Sequence, residues 1–188
     1  GQKNKKEETF YNLKPAHTVS MDTPLLATNG EYWAVPWLGG GGPIFFRKLS
    51  KYGKIEPDCP TINGHRAPVL SLSFSPFQDN VLASGSDDGT ICMWALDEID
   101  KSGQSLMMDA EPVARFNEHL NGVRALEFHP ASPVLASAAS NQIKLWDLST
   151  QSKCLDMVLE GEANAIANLS FNFDGSLMAA ATKTQAIH

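Results

Sequence analysis

The chain has 188 residues, 43% of them hydrophobic, and a formal net charge of −6. It is long enough to bury a core and contains no run of about 18 apolar residues that would span a membrane. Its acidic balance (pI near 5.3), without interleaved basic and aromatic residues, argues against a nucleic-acid partner.

Residues 1–9, GQKNKKEET, are charged and aperiodic, so a mobile arm carrying Lys3, Lys5 and Lys6 is expected. No apolar stretch follows it, as a signal peptide would require. Phe10 to Leu13 is a short aromatic-apolar segment, and Lys14 to Pro24 holds too many turn formers for a helix. EYWAVPW (31–37) and PIFFRKL (43–49) read as strands joined through Gly39 to Gly42. Four consecutive glycines suggest phosphate binding, but a P-loop needs Lys and then Ser or Thr after its last Gly. Here Pro43 follows, with no N–H to donate, and a flexible hairpin is the better reading. Arg47, Lys48, Lys51 and Lys54 then place four positive charges in eight residues with no acid among them. They read either as a solvated loop or as a contact for an acidic partner. Such charge complementarity mainly speeds association and weakens with salt.

The most patterned stretch is 63–96, NGHRAPVLSLSFSPFQDNVLASGSDDGTICMWAL. VLSLSF alternates apolar and small residues with period two, a strand with one packed face. SPFQDN is a turn in which Pro76 fixes its own backbone angle, and VLASGS returns as the next strand. SDDGT places Gly89 at a hairpin turn, and TICMW closes the unit. The pattern recurs over 117–148: His119, Val123, Phe128 and Pro130 follow His65, Val69, Phe74 and Pro76 at an offset of 54, and Trp146 follows Trp94 at 52. A third copy begins near Glu160, where Ile166, Leu169, Phe171 and Met178 follow Val123, Leu126, Phe128 and Leu135 at an offset of 43. Repeats of about 40 to 45 residues with this Gly-His opening and Trp ending are the signature of WD-repeat propeller blades. The longer first interval, 97–116, reads as an extended surface loop.

In WD-repeat blades a His, a Ser or Thr, an Asp and a Trp form a buried hydrogen-bond chain. By that resemblance the chain here is His65, Ser84, Asp88 and Trp94. The second copy keeps His119, Ser137 and Trp146, but it is one residue short at SNQ and has no Asp. The third has Glu162 in place of the His. These residues read as structural, because a buried polar network gains only when every member is satisfied. There is no HExxH, no GxSxG elbow and no metal-spaced His/Cys cluster. The cysteines Cys59, Cys92 and Cys154 are widely spaced without a CxxC pair, which favours a reducing compartment. His17 and His188 lie in terminal segments, His129 sits in a turn, and Asp87-Asp88 belong to a hairpin. No enzyme, metal or cofactor is expected.

The fold class expected is therefore all-β, an incomplete WD-repeat propeller of about three to four blades. Its parts are a degenerate first blade and connector over 10–62, a blade over 63–96, the loop 97–116, a blade over 117–148 and a shortened one over 149–188. Propellers close with about four to eight blades, so the chain reads as a fragment of a longer protein.

The segment from IFFRKL to TICMW resembles the coronins, actin-associated WD-repeat proteins of seven blades. The resemblance rests on a connector outside the repeat grammar: Gly53-Lys54-Ile55-Glu56, Pro60-Thr61, Gly64-His65 and Ala67-Pro68-Val69, running into DNVLASGS. It covers roughly 31–188. YWAVPWLGGGGPIFF and FSPFQDN are similar to the tandem coronins with two propellers in one chain, and single versus tandem organisation stays open. The N-terminal Phe10-Tyr11-Asn12-Leu13 only echoes the motif of the single-propeller members, and their basic cluster has no aligned equivalent after Lys14. The resemblance implies a non-catalytic module that binds filamentous actin, in the cytoplasm and on the cytoskeleton. Arg47, Lys48, Lys51 and Lys54 are the candidate contact. The alternative is a generic WD-repeat scaffold or adaptor in trafficking or ubiquitin-ligase complexes. Oligomeric state is not legible.

Overall fold

The computed structural model describes residues 9–16, 26–96, 108–109, 111–160, 165–183 and 187. Most of the expected arm and of the 97–116 loop, together with His17, Glu162 and His188, lies outside the described residues. The strands run β1 (Phe10–Tyr11), β2 (Ala27–Thr28), β3 (Tyr32–Pro36), β4 (Ile44–Lys48), β5 (Gly53–Lys54) and β6 (Ile62–Asn63). They continue with β7 (Val69–Phe74), β8 (Val81–Ser86), β9 (Ile91–Ala95), β10 (Met108–Asp109) and β11 (Ala114–Phe116). Then come β12 (Val123–Phe128), β13 (Val134–Ala139), β14 (Gln142–Asp147), β15 (Ser152–Val158), β16 (Ile166–Phe171) and β17 (Met178–Thr182).

They form blade-like sheets in chain order: β2-β3-β4-β6 with β10 added in parallel beside β6, then β7-β8-β9-β11, then β12-β13-β14-β15, then β16-β17. The first strands β2, β7, β12 and β16 contact one another in succession, which makes them the inner strands around a common axis. The described sheets do not close into a ring. This is a WD40 β-propeller architecture, incomplete over the described residues.

Each consecutive pair of sheets encloses its own core. Tyr32, Ala34, Ile44 and Ile62 of the first sheet meet Val69, Leu82 and Trp94 of the second. Val81, Met93 and Phe116 meet Leu126, Phe128 and Trp146, and Ala136, Ala138 and Ile143 meet Ile166 and Leu169. The opposite face of the first sheet carries Trp33, Val35, Trp37 and Phe45, covered by Ile55, Phe10, Leu49 and Cys59. That two-sided burial explains why every residue of YWAVP is buried and why β3 shows no polar alternation. β1 supports this cover by pairing in parallel with β5.

Two blades extend beyond the boundaries read from sequence. The 63–96 unit takes its fourth strand from β11, within the segment read as loop, through Ala114↔Met93 and Phe116↔Ile91. The 117–148 unit takes its fourth strand from β15, within the segment assigned to the next copy. All seven residues of β15 are exposed. An outer strand with no buried face leaves no apolar period for sequence reading to detect. The glycine run is a close-packed turn: Gly42 sits at φ 65°, and a Cβ there would collide with the Ala67 carbonyl, 3.2 Å from Val69 N. The Pro43-containing hairpin thus presses its backbone onto the connector that delivers His65.

Candidate functional site

The second sheet brings together all four residues expected in its hydrogen-bond chain and adds a fifth. Trp94 Nε1 on β9 donates to Ser84 Oγ on β8 at 2.8 Å, and Ser84 Oγ lies 2.7 Å from His65 Nε2. His65 Nδ1 is 2.9 Å from Thr90 Oγ1, which donates to Asp88 Oδ1 at 2.6 Å. Counting protons fixes the direction. Thr90 spends its hydrogen on Asp88, so His65 Nδ1–H donates to Thr90. The chain links Trp94, Ser84, His65, Thr90 and Asp88, with the Asp88 carboxylate at its end. Asp88 also accepts from Arg66 N at 2.7 Å and Thr90 N at 2.9 Å. Burial would raise its pKa, but the hydrogen bonds from His65, Thr90 and Arg66 outweigh it and hold the carboxyl well below the usual range. Thr90 was the missed member; its signal is a hydroxyl one residue beyond the turn Gly89.

The third sheet repeats only the inner half. Trp146 Nε1 donates to Ser137 Oγ at 2.8 Å, and Ser137 Oγ is 2.7 Å from His119 Nε2. His119 Nδ1 is buried with no hydrogen-bond partner. The shortened turn, with Ser140 at φ 52°, supplies neither an Asp nor a Thr. Burial, with the positive charge of Lys144, pushes His119 down to about 4. Lys144 is itself buried and ion-paired to Asp156 at 2.8 Å, and Lys153 bridges Asp156 (3.2 Å) to Glu118 (2.7 Å). These chains tie strands and turns together within a blade.

The four basic residues near β4 are not brought into one patch. Arg47 and Lys48 are neighbours on a strand, so their side chains take opposite faces. Lys48 pairs with Glu31 at 3.1 Å and lies 5.2 Å from the Tyr32 ring centroid. The hydrogen bond it donates to the Glu31 carboxylate raises its pKa. Arg47 Nη1 donates to the Lys54 carbonyl at 3.3 Å, while Lys54 Nζ pairs with Glu56 at 3.3 Å. Lys51 is exposed in the turn between β4 and β5. The acids absent between 47 and 54 are thus supplied by Glu31 across the sheet and by Glu56 just beyond. Lys14, which sequence reading set aside, lies with Arg47 near Cys59: both charges act to lower the thiol pKa, against the burial that raises it. Arg47 thus has Lys14 in its surroundings and contacts the Lys54 backbone, while the Lys54 ammonium pairs with Glu56 and Lys51 lies on the adjoining turn.

A polar cleft of about 400 Å³ opens beside the second sheet's Asp88 turn, lined by Gly64, Arg66, Asp88, Thr90, Arg115 and Asn117. Arg115 Nη2 donates across it to the Gly64 carbonyl at 3.0 Å. Among the described residues no group of three or more His, Cys, Asp or Glu could hold a metal ion, and no helix is long and apolar enough to cross a membrane.

Comparison with known proteins adds a family context to this geometry. The family described as "WD domain, G-beta repeat" matches residues 58–95 and 110–147, and a domain of unknown function (DUF1899) matches residues 1–54. The chain is 33% identical to a coronin-like protein of Saccharomyces cerevisiae, with all of the chain aligned to 29% of that protein. It is also 33% identical to a coronin-like protein of Schizosaccharomyces pombe, all of the chain covering 31% of it. The solved WD40 domain of Toxoplasma gondii coronin superposes with a TM-score of 0.83 at 27% identity, over 96% of this chain and 45% of that one. The chain spans about a third of the length of the two fungal relatives.

Proposed function

We propose, for a chain that is coronin-like along its whole length and folded as WD40 blades, that it serves as a non-catalytic binding module on actin filaments. The observation carrying this reading is the similarity to coronins across the entire chain, including the connector between the first two blades that lies outside the repeat pattern. Fold alone would not support a partner. The blades act as a rigid frame, and the partner is met by turns at their rims. Actin filaments are acidic, so the contact assigned is the basic group of Arg47, Lys51 and Lys54, joined by Lys14, on the outer side of the first sheet. Lys48 is left out because Glu31 engages it on the opposite face. On this reading the protein works in the cytoplasm, on the cytoskeleton.

Filament co-sedimentation of the full-length protein tests the reading at low and moderate salt. Arg47→Glu/Lys54→Glu should reduce pelleting at least fivefold, whereas Lys48→Gln should leave it within twofold. Pelleting should also weaken as salt rises, since exposed charges are screened over about 10 Å at 0.1 M. Equal losses in both variants would reject the assigned surface, and a folded protein that never pellets would reject the actin partner.

A further inference from the structure

A second surface lies away from the first sheet, where the third and fourth sheets meet. The β12–β13 turn and the β16–β17 turn come side by side there and leave a cleft of about 560 Å³. Its walls are Pro130, Phe171 and Phe173, and its charged members are Glu127 and Asp174; no Lys or Arg lines it.

Two features of this cleft suit an incoming cation. Glu127 projects from β12, half-buried, and its carboxylate has neither a hydrogen-bond nor an ion-pair partner among the described residues. Burial alone pushes its pKa above the ordinary value. A carboxylate half-withdrawn from water and without a partner is a ready acceptor for an incoming cation. Phe173 is 99% exposed, an aromatic ring offered wholly to solvent at the tip of the β16–β17 turn. Phe171 beneath it is held edge-on by His129 at 5.0 Å, whose Nδ1 accepts from Ala131 N at 3.0 Å. Asp174 Oδ1 accepts from Ser176 N at 2.9 Å, which fixes the turn that presents Phe173.

Aromatic faces beside an unpaired carboxylate select a cation. A guanidinium fits best, since it is weakly hydrated, stacks on aromatic rings and keeps its donors free for a carboxylate. We propose that this cleft docks a peptide segment of a partner protein, which inserts one arginine between Phe173 and Glu127. The site is independent of the actin contact and of opposite charge preference.

The test is fluorescence anisotropy with the full-length protein and three labelled degenerate heptapeptide pools, fixed at the central position as arginine, citrulline or glutamate. The arginine pool should bind at least tenfold more tightly than the citrulline pool, which has the same shape without the charge. Glu127→Gln should abolish that preference while its thermal midpoint stays level or rises, a combination that loss of a merely structural residue would not give. Phe173→Ser, at a fully exposed position, should weaken arginine-pool binding at least threefold with no change in midpoint. Equal binding of the arginine and citrulline pools, a preference that survives Glu127→Gln, or indifference to Phe173→Ser would each overturn the proposal.

Discussion

Thr90 occupies the one position in the second blade where a hydroxyl must both accept from an imidazole and donate to a carboxylate. Replacing it with Val keeps the shape but removes the hydroxyl partner of His65 Nδ1–H and one of the two donors to Asp88 Oδ1. An unsatisfied buried group costs about 1–3 kcal/mol, so Thr90→Val should lower stability by about 2 kcal/mol in urea unfolding. His119 provides the matching pH experiment in the next blade. Its folded pKa, about 4, lies below the ordinary 6.5, so the unfolded chain binds the extra proton first. Stability is then fully present above pH 6.5 and falls as pH drops toward 4. Unfolding free energies from urea titrations at pH 7 and pH 5 should differ by about 2 kcal/mol in the parent beyond any difference in His119→Asn. A parent no more acid-sensitive than the variant would contradict the buried neutral imidazole. Asp88, held low, keeps its stabilisation across that range and loses it only in stronger acid, below the ordinary carboxylate value, so the two residues do not confound one another.

At the scale of the element, the blades are spaced by positions where a side chain would not fit. Gly85 on β8 faces the third sheet, and a Cβ there would lie 2.5 Å from Ser71 Oγ and 2.7 Å from Val123 Cγ1. Ser71 Oγ itself donates to Val123 O at 2.9 Å, a hydrogen bond between blades. Gly85→Ala must push β8 or β12 aside, and overpacking of this kind costs about 1–3 kcal/mol. Calorimetry should show a lower midpoint for Gly85→Ala, whereas Gly40→Ala, which has open space around it, should be nearly neutral. An unchanged midpoint in Gly85→Ala would mean that the second and third blades yield more easily than their buried contact suggests. Elements also explain where sequence reading stopped short. β7, β8 and β9 were legible because their apolar residues repeat against fixed turn signals. β11 has only three residues, and β15 buries none of its side chains, so neither had a pattern to read.

For the whole molecule, three cores are each shared by two successive sheets, a fourth covers the other face of the first sheet, and stability is carried by nearest-neighbour contacts around an arc. The consequence for function is separation. The basic group of Lys14, Arg47, Lys51 and Lys54 sits on the outer side of the first sheet, while the acidic, aromatic cleft of Glu127 and Phe173 lies between the third and fourth. On the two proposals above, surfaces of opposite charge preference lie on different sheets and take separate partners. Double reversal of Arg47 and Lys54 should therefore leave arginine-pool binding unchanged, and Glu127→Gln should leave filament pelleting unchanged. Loss of either activity in the other surface's variant, measured on folded protein, would show that the two are coupled.

By itself the sequence determined the repeat, the turns and the polar residues of the second blade. Each of these is a local pattern: His, alternating apolar residues and Trp recur at spacings that a single chain displays, and Gly-His and Asp-Asp-Gly mark the second blade. The coronin-like connector was legible for the same reason, as a continuous string. Only the tertiary structure decided that Thr90 completes the chain, because that depends on where His65 arrives from another loop. It also decided that Arg47 and Lys48 diverge to opposite faces and that Glu31 neutralises one of them from the neighbouring strand. The basic run looked continuous because charge counts along the chain ignore the two-residue period of a strand and the partners a sheet brings across it. The unpartnered carboxylate of Glu127 was invisible for the converse reason: burial without a partner exists only once two sheets have packed.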